Sequence, residues 1–404
     1  MEIIKGTVAN AVSYAKTIDD KAKEQIQRML CYDLTEGSQV RIMPDVHAGK
    51  GCTIGTTMTV TDKIVPNIVG VDIGCSMYTV DLGCAPIDFE CLDKAAHFVP
   101  SGMHVWAEKQ NDFDLTNLYC YDKLKRIRHI ELSVGTLGGG NHFIEVERAS
   151  DGRYFLIIHS GSRNLGKQVA EIYQRIAIEL NAHGNTLEER ITEIIKDYKN
   201  AGREKDIQKA IRDAKREQLK RKIPDDLCYL SGIYMEQYLH DVVICQNFAK
   251  QNREKIAEIL LEQTGLTAGE AFHTIHNYID VGEMILRKGA IAAHKGEKIL
   301  IPINMRDGSI LALGKGNPNW NYSAPHGAGR VMSRTQAFHE LSLENYQKEM
   351  TGIYSTSVNQ ATLDEAPMAY RTLKDITDVL EDTAEIIDIM KPVYNFKADE
   401  EWKF

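Results

Sequence analysis

The chain has 404 residues, a formal net charge of −9, 43% hydrophobic and 26% charged side chains. That balance belongs to a folded globular protein and excludes both a disordered polyelectrolyte and a uniformly basic nucleic-acid coat. Eight cysteines scattered over so long a chain are not a disulfide framework. With no apolar run of membrane-spanning length and no leader-like stretch in MEIIKGTVANAVSYAK, a cytoplasmic protein is expected.

In chain order, RIMPDVHAGKG comes first as a polar knot, with Asp45 and His47 ahead of glycines. They are expected to support a metal loop from behind or to contact substrate, and a plain turn explains them nearly as well. TIGTTMTV (53–60), the VDIGCSMYTV region and YFLII (154–158) are rich in β-branched or aromatic residues and read as strands. Each adjoins a glycine-flanked polar motif, and loops at strand ends commonly carry chemistry. After Gly166 the period changes: Val169, Ile172, Tyr173, Ile176 and Leu180 share one helical face. A charged helical stretch follows, Pro224 breaks it, and a long helix is predicted over about 231–263. Within that stretch, residues 203–222 hold nine basic and four acidic side chains, an excess of +5. Ile207, Ile211 and Ala214 give it an apolar stripe, so a packed arm or hairpin is expected. Its charges suit an RNA contact or a solvated face equally. Strands return at KILIPIN and SILALGKGN, and a terminal helix over about 360–390 is expected to close an interleaved α and β unit.

Asp72 and Cys75 stand three apart in IVGVDIGCSM, close enough for carboxylate and thiolate to reach one ion from a single turn. GGGNHFIE brings His142, IIHSGSRNLG brings His159 and IHN brings His276. Sulfur, oxygen and imidazole together suit a borderline divalent metal better than calcium or magnesium. Five ligands exceed one tetrahedral site, so two ions sharing the Cys75 thiolate are expected. For a lone histidine a core or surface role is the better reading; it applies to His97, His104, His129, His183, His240, His273, His294 and His339. His273, three residues before His276, is not separated from it by sequence alone.

HSGSRNLG sets Ser160, Ser162 and Arg163 at a helix start, where backbone N–H groups and a guanidinium make an anion site. HGAGRVMSR repeats the device with Arg330 and Arg334. Between them stands His326, either a nucleophile toward a metal-bound α-phosphate or one more metal ligand.

Taken together, MPDVHAGKG, VGVDIGC, GTLGGGNHFIEV, HSGSRNLG, HN, GKGN, HGAGRVMSR, DEAPMAY and a lysine near the C-terminus resemble the RtcB family of RNA ligases through most of the chain. The resemblance implies an α+β fold of that family's type, with mixed sheets around a central metal cleft. It also implies one catalytic domain over 1–404, with a charged helical insertion at about 185–225. Two Mn²⁺ ions and GTP are the implied cofactors. Asp72, Cys75, His142, His159 and His276 then become the manganese ligands, with Cys75 bridging, and His326 the residue that is guanylylated. Asn141, Glu145, Asn277, Ser309, Gly327, Tyr370 and Lys397 fall where the family holds the guanine nucleotide, and Arg163 and Arg330 where phosphates are met. Two departures stand out. Asn304 in IPINMRDG replaces a nucleotide-contacting serine, so altered contacts are expected without loss of GTP. Lys397 is followed by seven residues, whereas family members commonly end just after that lysine.

The implied reaction joins an RNA 3′-phosphate or 2′,3′-cyclic phosphate to a 5′-hydroxyl, converting GTP to GMP and diphosphate, in RNA repair or tRNA processing. The NMRDG version resembles a shorter bacterial branch, so a release-factor-like or other activating protein is expected beside the broken RNA. Two rivals remain at this stage. A metal-dependent phosphodiesterase or phosphatase on RNA ends would use the same ions and tolerate loss of His326. A non-catalytic RNA-binding factor held through 203–222 would leave the ligand set unexplained.

Overall fold

The computed structural model describes residues 1–182, 187–200, 202–212 and 223–397. Two sheets carry the architecture, which is α+β. A six-stranded sheet runs in the order Glu2–Lys5, Asn10–Ser13, Val40–His47, Ile54–Thr59, Ile285–Lys288, Asn277–Asp280, with one parallel pair between its second and third strands. An all-antiparallel sheet of seven runs Ala271–Ile275, Ser76–Gly83, Tyr154–Ser160, Phe143–Arg148, Ala384–Lys397, Gly308–Gly314, Lys298–Asn304. Its two edge strands meet where the Leu300 N–H donates to Thr274 Oγ1 at 3.1 Å, so the sheet nearly closes on itself. Closure removes exposed edges and makes a rigid wall for whatever its strand ends carry.

The helix Gly232–Thr264 runs for 33 residues, about 50 Å at 1.5 Å per residue. It buries side chains along most of its length, including Tyr238, Val242, Phe248 and Ile256. Tyr238, Val242 and Phe248 join Leu165, Val169 and Tyr173 of the helix Arg163–Ala182 in the largest core cluster. The apolar stripe on the latter helix is buried at Val169, Ile172 and Tyr173, but its last member, Leu180, is 38% exposed.

The expected terminal helix over 360–390 is not formed. Short helical turns at Gln360–Glu365, Pro367–Ala369 and Leu373–Thr377 give way to the long strand Ala384–Lys397. Pro392 lacks the N–H and has the wrong shape for a helix interior; here it sits where the strand's register with Phe143–Arg148 shifts. Partners on both sides, Phe143–Arg148 and Gly308–Gly314, supply backbone hydrogen bonds that local propensity does not foresee. Of the charged stretch, Leu187–Asn200 is helical and Ile207 and Ile211 are half-buried, whereas Ala214 and the rest of 213–222 lie outside the described residues. No described helix is long and apolar enough to cross a membrane.

Candidate metal and nucleotide site

Five donors converge although they come from four separate segments. Asp72 and Cys75 share the turn before Ser76–Gly83, His142 directly precedes Phe143–Arg148, and His159 lies in Tyr154–Ser160. His276 falls between Ala271–Ile275 and Asn277–Asp280, strands of different sheets, so it marks the seam between them. Backbone bonds stitch that seam: Gly74 N–H donates to the Asn277 carbonyl at 2.7 Å and His276 N–H to the Cys75 carbonyl at 3.0 Å. Gly161 must be glycine, because a Cβ there would collide with the Asp72 carboxylate.

Cys75 Sγ lies 3.2 Å from His159 Nε2 and 3.6 Å from His142 Nε2. The latter nitrogen is 3.1 Å from Asp72 Oδ2, and His159 Nε2 is 3.3 Å from His276 Nε2. Two donor groups result, Cys75–His159–His276 and Asp72–Cys75–His142, with Cys75 in both. His142 Nδ1 donates to the Leu137 carbonyl at 2.9 Å and His159 Nδ1 to the Asn141 carbonyl at 3.0 Å. A carbonyl only accepts, so each ring carries a proton on Nδ1 and points its Nε2 inward.

The electrostatics match that arrangement. Burial, followed by the neighbouring imidazoles, holds His159 and His276 well below the ordinary histidine range, in their neutral ligating form. Burial and the Asp72 carboxylate push the Cys75 thiol up, so without a cation this sulfur is protonated. Burial would also raise Asp72, but hydrogen bonding and charge from His142 outweigh it and hold the carboxyl down. A thiol, a carboxylate and three inward imidazoles crowded this closely fit a soft-to-borderline divalent cation, which displaces the thiol proton on binding.

Two residues absent from the sequence reading hold these loops. On the helix Gly232–Thr264, buried Arg253 donates through one nitrogen to the carbonyls of Gly74 at 2.8 Å and Ser160 at 2.9 Å. Asn252 donates to Ser160 Oγ at 3.0 Å and to the Gly161 carbonyl at 3.1 Å, and accepts from Thr136 N–H at 3.0 Å. A helical pattern search reads both as polar interruptions of an apolar stripe; that interruption was the available signal.

His326 stands beside the donors, its ring 5.3 Å from that of His276. Its Nδ1 lies 2.7 Å from Oδ2 of Asp45, which is fully buried and also accepts the His326 backbone N–H at 3.2 Å. Asp45 therefore serves His326, a partner that none of the three roles left open by the sequence (behind the metal loop, against substrate, or in a plain turn) had named. His47 lines the same cavity, with Nδ1 3.0 Å from the Asp45 carbonyl.

The cavity, of about 360 Å³, extends from the donors to a polar end on the seven-stranded sheet. Asn141, Glu145, Asn277, Asn304, Ser309 and Gly327 line it, as do Arg330, Tyr370 and Lys397. Glu145 and Glu147 lie on one face of their strand, both buried. Burial pushes Glu145 up to about 7, and burial with Glu145 alongside also drives Glu147 well above the ordinary carboxylate range. Asn395 donates to Glu145, and the Ser309 hydroxyl to Glu147 at 2.8 Å. Glu365, which the sequence reading did not single out within DEAPMAY, is the hub of the polar end. It takes Lys397 Nζ at 2.7 Å, Tyr370 Oη at 2.8 Å and Arg330 at 3.2 Å. Burial opposes its charge, yet Lys397, Arg334 and Arg330 hold it down at about 2. Asn277 Oδ1 accepts Gly289 N–H at 3.0 Å. The Asn304 amide is engaged in its own turn, accepting from Arg306 and Asp307 N–H and donating to Asp307 Oδ2 at 2.9 Å.

Arg163, like His142, lies outside the cavity lining. Its guanidinium reaches Thr136 Oγ1 at 2.9 Å and the Gly102 carbonyl at 2.6 Å. Its side chain fills the space over Gly138, bracing the loop that delivers His142.

Comparison with known proteins agrees along the length of the chain. A family model described as tRNA-splicing ligase RtcB matches residues 25–117 and 119–398. The RNA-splicing ligase RtcB of Escherichia coli K12 is 29% identical over 406 aligned positions, covering 89% of this chain and 90% of that protein. The tRNA-splicing ligase RtcB of Aeropyrum pernix is 26% identical over 447, covering 90% and 88%. That of Thermococcus kodakarensis is 24% identical, covering 87% and 86%.

Proposed function

This chain belongs to the RtcB family and is an RNA ligase, and we propose that it joins RNA 3′-phosphate or 2′,3′-cyclic phosphate ends to 5′-hydroxyl ends through a guanylylated His326. The supporting observation is the Asp45–His326 pair beside the five-donor cluster, with His326 lining a cavity that Glu145 and Glu365 also line. Two Mn²⁺ ions would be held by Asp72, Cys75 and His142 and by Cys75, His159 and His276. When bound they neutralise charge on the reacting phosphates as Lewis acids.

The chain's own groups carry the rest. Asp45 accepts the Nδ1 proton of His326, leaving the Nε2 lone pair to attack the α-phosphorus of GTP. An N–P bond forms, the α–β P–O bond breaks and diphosphate leaves. The guanylyl group passes to an RNA 3′-phosphate, and the 5′-hydroxyl then displaces GMP as the new phosphodiester forms. Where the end is a cyclic phosphate, hydrolysis opens it first. The whole chain is read as one catalytic unit for this purpose.

Glu145 supports guanine as the base, because one carboxylate can accept from both N1–H and the N2 amino group, a pair adenine lacks. Only the ionised form accepts twice, and Glu145 is held up at about 7. GTP affinity should therefore rise with pH, by about tenfold from one pH unit below that value to one above, as the ionised fraction grows. Calorimetric titration of GTP across that range reads this directly, and Glu145→Gln should flatten the profile. A pH-independent affinity in the unaltered protein would remove Glu145 from base recognition.

The reaction itself is tested by incubation with Mn²⁺ and α-labelled GTP. An acid-labile covalent label on the intact protein and none on His326→Ala is the expected result. Label persisting on the variant would place the nucleotide on another residue.

A further inference from the structure

Away from the donor cluster, a second cavity of about 530 Å³ opens between the segment Lys123–Arg126 and the helix Arg163–Ala182. Lys123, Lys125, Arg126 and Arg175 line it, all exposed, against two carboxylates, Glu171 and Glu179. Among the described residues, none of these four cationic side chains has an ion-pair or hydrogen-bond partner. Nearby charges are spent differently: Lys109 and Arg128 both pair with Glu131. In a chain of net charge −9, a group of unpaired cations around one concavity is a local reversal of field.

The arrangement is held in place. Gln168 clamps the Lys125 backbone from both sides, accepting its N–H at 2.7 Å and donating to its carbonyl at 2.9 Å. Arg126 adopts a left-handed backbone, φ 55°, just before the short helix Ile127–Glu131. Asn164, Gln168, Glu171 and Arg175 follow at helical spacing on one face. Arg163, at the start of the same helix, braces the loop that carries His142. From Arg163 to Arg175 the helix advances about 18 Å, so Arg175 stands several nucleotides' length along the helix from the loop that Arg163 braces.

We propose that this cavity binds the sugar-phosphate backbone of the RNA strand being joined, at a distance from its reacting end. The proposal rests on the RNA ligase reading, which requires a polyanion to reach the donor cluster. Among the described residues no aromatic side chain lines the cavity, so contact is with phosphates and not with bases, and binding is independent of sequence.

The test uses the full chain with Lys125→Glu, Arg126→Glu and Arg175→Glu combined, and a second variant with glutamine at the same positions. Fluorescence anisotropy with a long single-stranded RNA at physiological salt is expected to show weaker binding, by about tenfold or more for the glutamate variant. The log–log salt slope should shrink by about 2 in the glutamine variant, at roughly 0.7 per neutralised phosphate on single strands. Joining of a dinucleotide bearing a 3′-phosphate, too short to reach the cavity, should keep its rate, whereas long RNA loses in KM and not in kcat. Unchanged affinity and slope for long RNA in folded variants would overturn the proposal, as would equal losses on dinucleotide and long RNA. A strong preference among RNA sequences that vanishes in the variants would overturn the phosphate-only contact. If the unaltered protein joins neither substrate, the ligase reading fails, while anisotropy still decides whether this surface binds RNA.

Discussion

Asparagine in place of Asp45 is expected to lower guanylylation of His326 by about 10³–10⁴-fold while leaving the fold and GTP binding in place. The reason lies in one proton. Asp45 Oδ2 can only accept, so it keeps the proton of His326 on Nδ1, 2.7 Å away, and leaves Nε2 nucleophilic. An asparagine can present its amide N–H to the same nitrogen, which moves the ring proton to Nε2 and removes the attacking lone pair. Asp45→Ala should be less harmful at this step than Asp45→Asn, because alanine withdraws the acceptor without imposing the wrong tautomer. Single-turnover labelling from α-labelled GTP measures both. A wild-type rate in Asp45→Asn, or a larger loss in the alanine variant, would reduce Asp45 to packing.

Cys75→Ala should cost about 10³-fold or more in joining, since the shared sulfur belongs to both donor groups and its loss weakens two charge-neutralising sites together. The more telling readout is thermal. At Mn²⁺ a hundredfold above its Kd, the unaltered protein should gain about 2.7 kcal/mol from binding, seen as a rise in Tm that follows Mn²⁺ concentration. Cys75→Ala should lose most of that rise. Its own Tm without metal should change far less, because the substitution removes a single buried sulfur and leaves the β-carbon in place. The burial-raised thiol must give up its proton on metal binding, so the Mn²⁺-dependent rise should also grow with pH. A full Mn²⁺ response in Cys75→Ala would mean that the cation is held elsewhere.

The parts of the site that sequence made legible are those coded locally. Asp72 and Cys75 share one turn, and His142, His159 and His276 stand in glycine-flanked motifs beside strands; all five meet as the motifs suggested. Strands at 54–59, 154–160, 298–304 and 308–314 and the helix Gly232–Thr264 were legible from period and β-branching. Ala384–Lys397 was not, because its strand character depends on two neighbours remote in sequence, and EIIDIM also carries a helix-compatible pattern. Arg163 reads as an anion ligand at a helix start, yet its guanidinium turns to the loop over Gly138; side-chain direction at a helix terminus is a tertiary choice.

Taken alone, the sequence determined which functional groups the protein owns, which turns present them and which family of motifs they compose. Tertiary structure alone decided which group acts on which. Asp45 reaches His326 across 281 residues, Lys397 reaches Glu365 across 32, and Arg253 reaches the carbonyl of Gly74 across 179. Those pairings follow from the nearly closed sheet and from its seam with the second sheet at His276. Closure and seam arise from burying both sheets and the long helix against one another, and no local period in the chain records which strand ends that burial brings together.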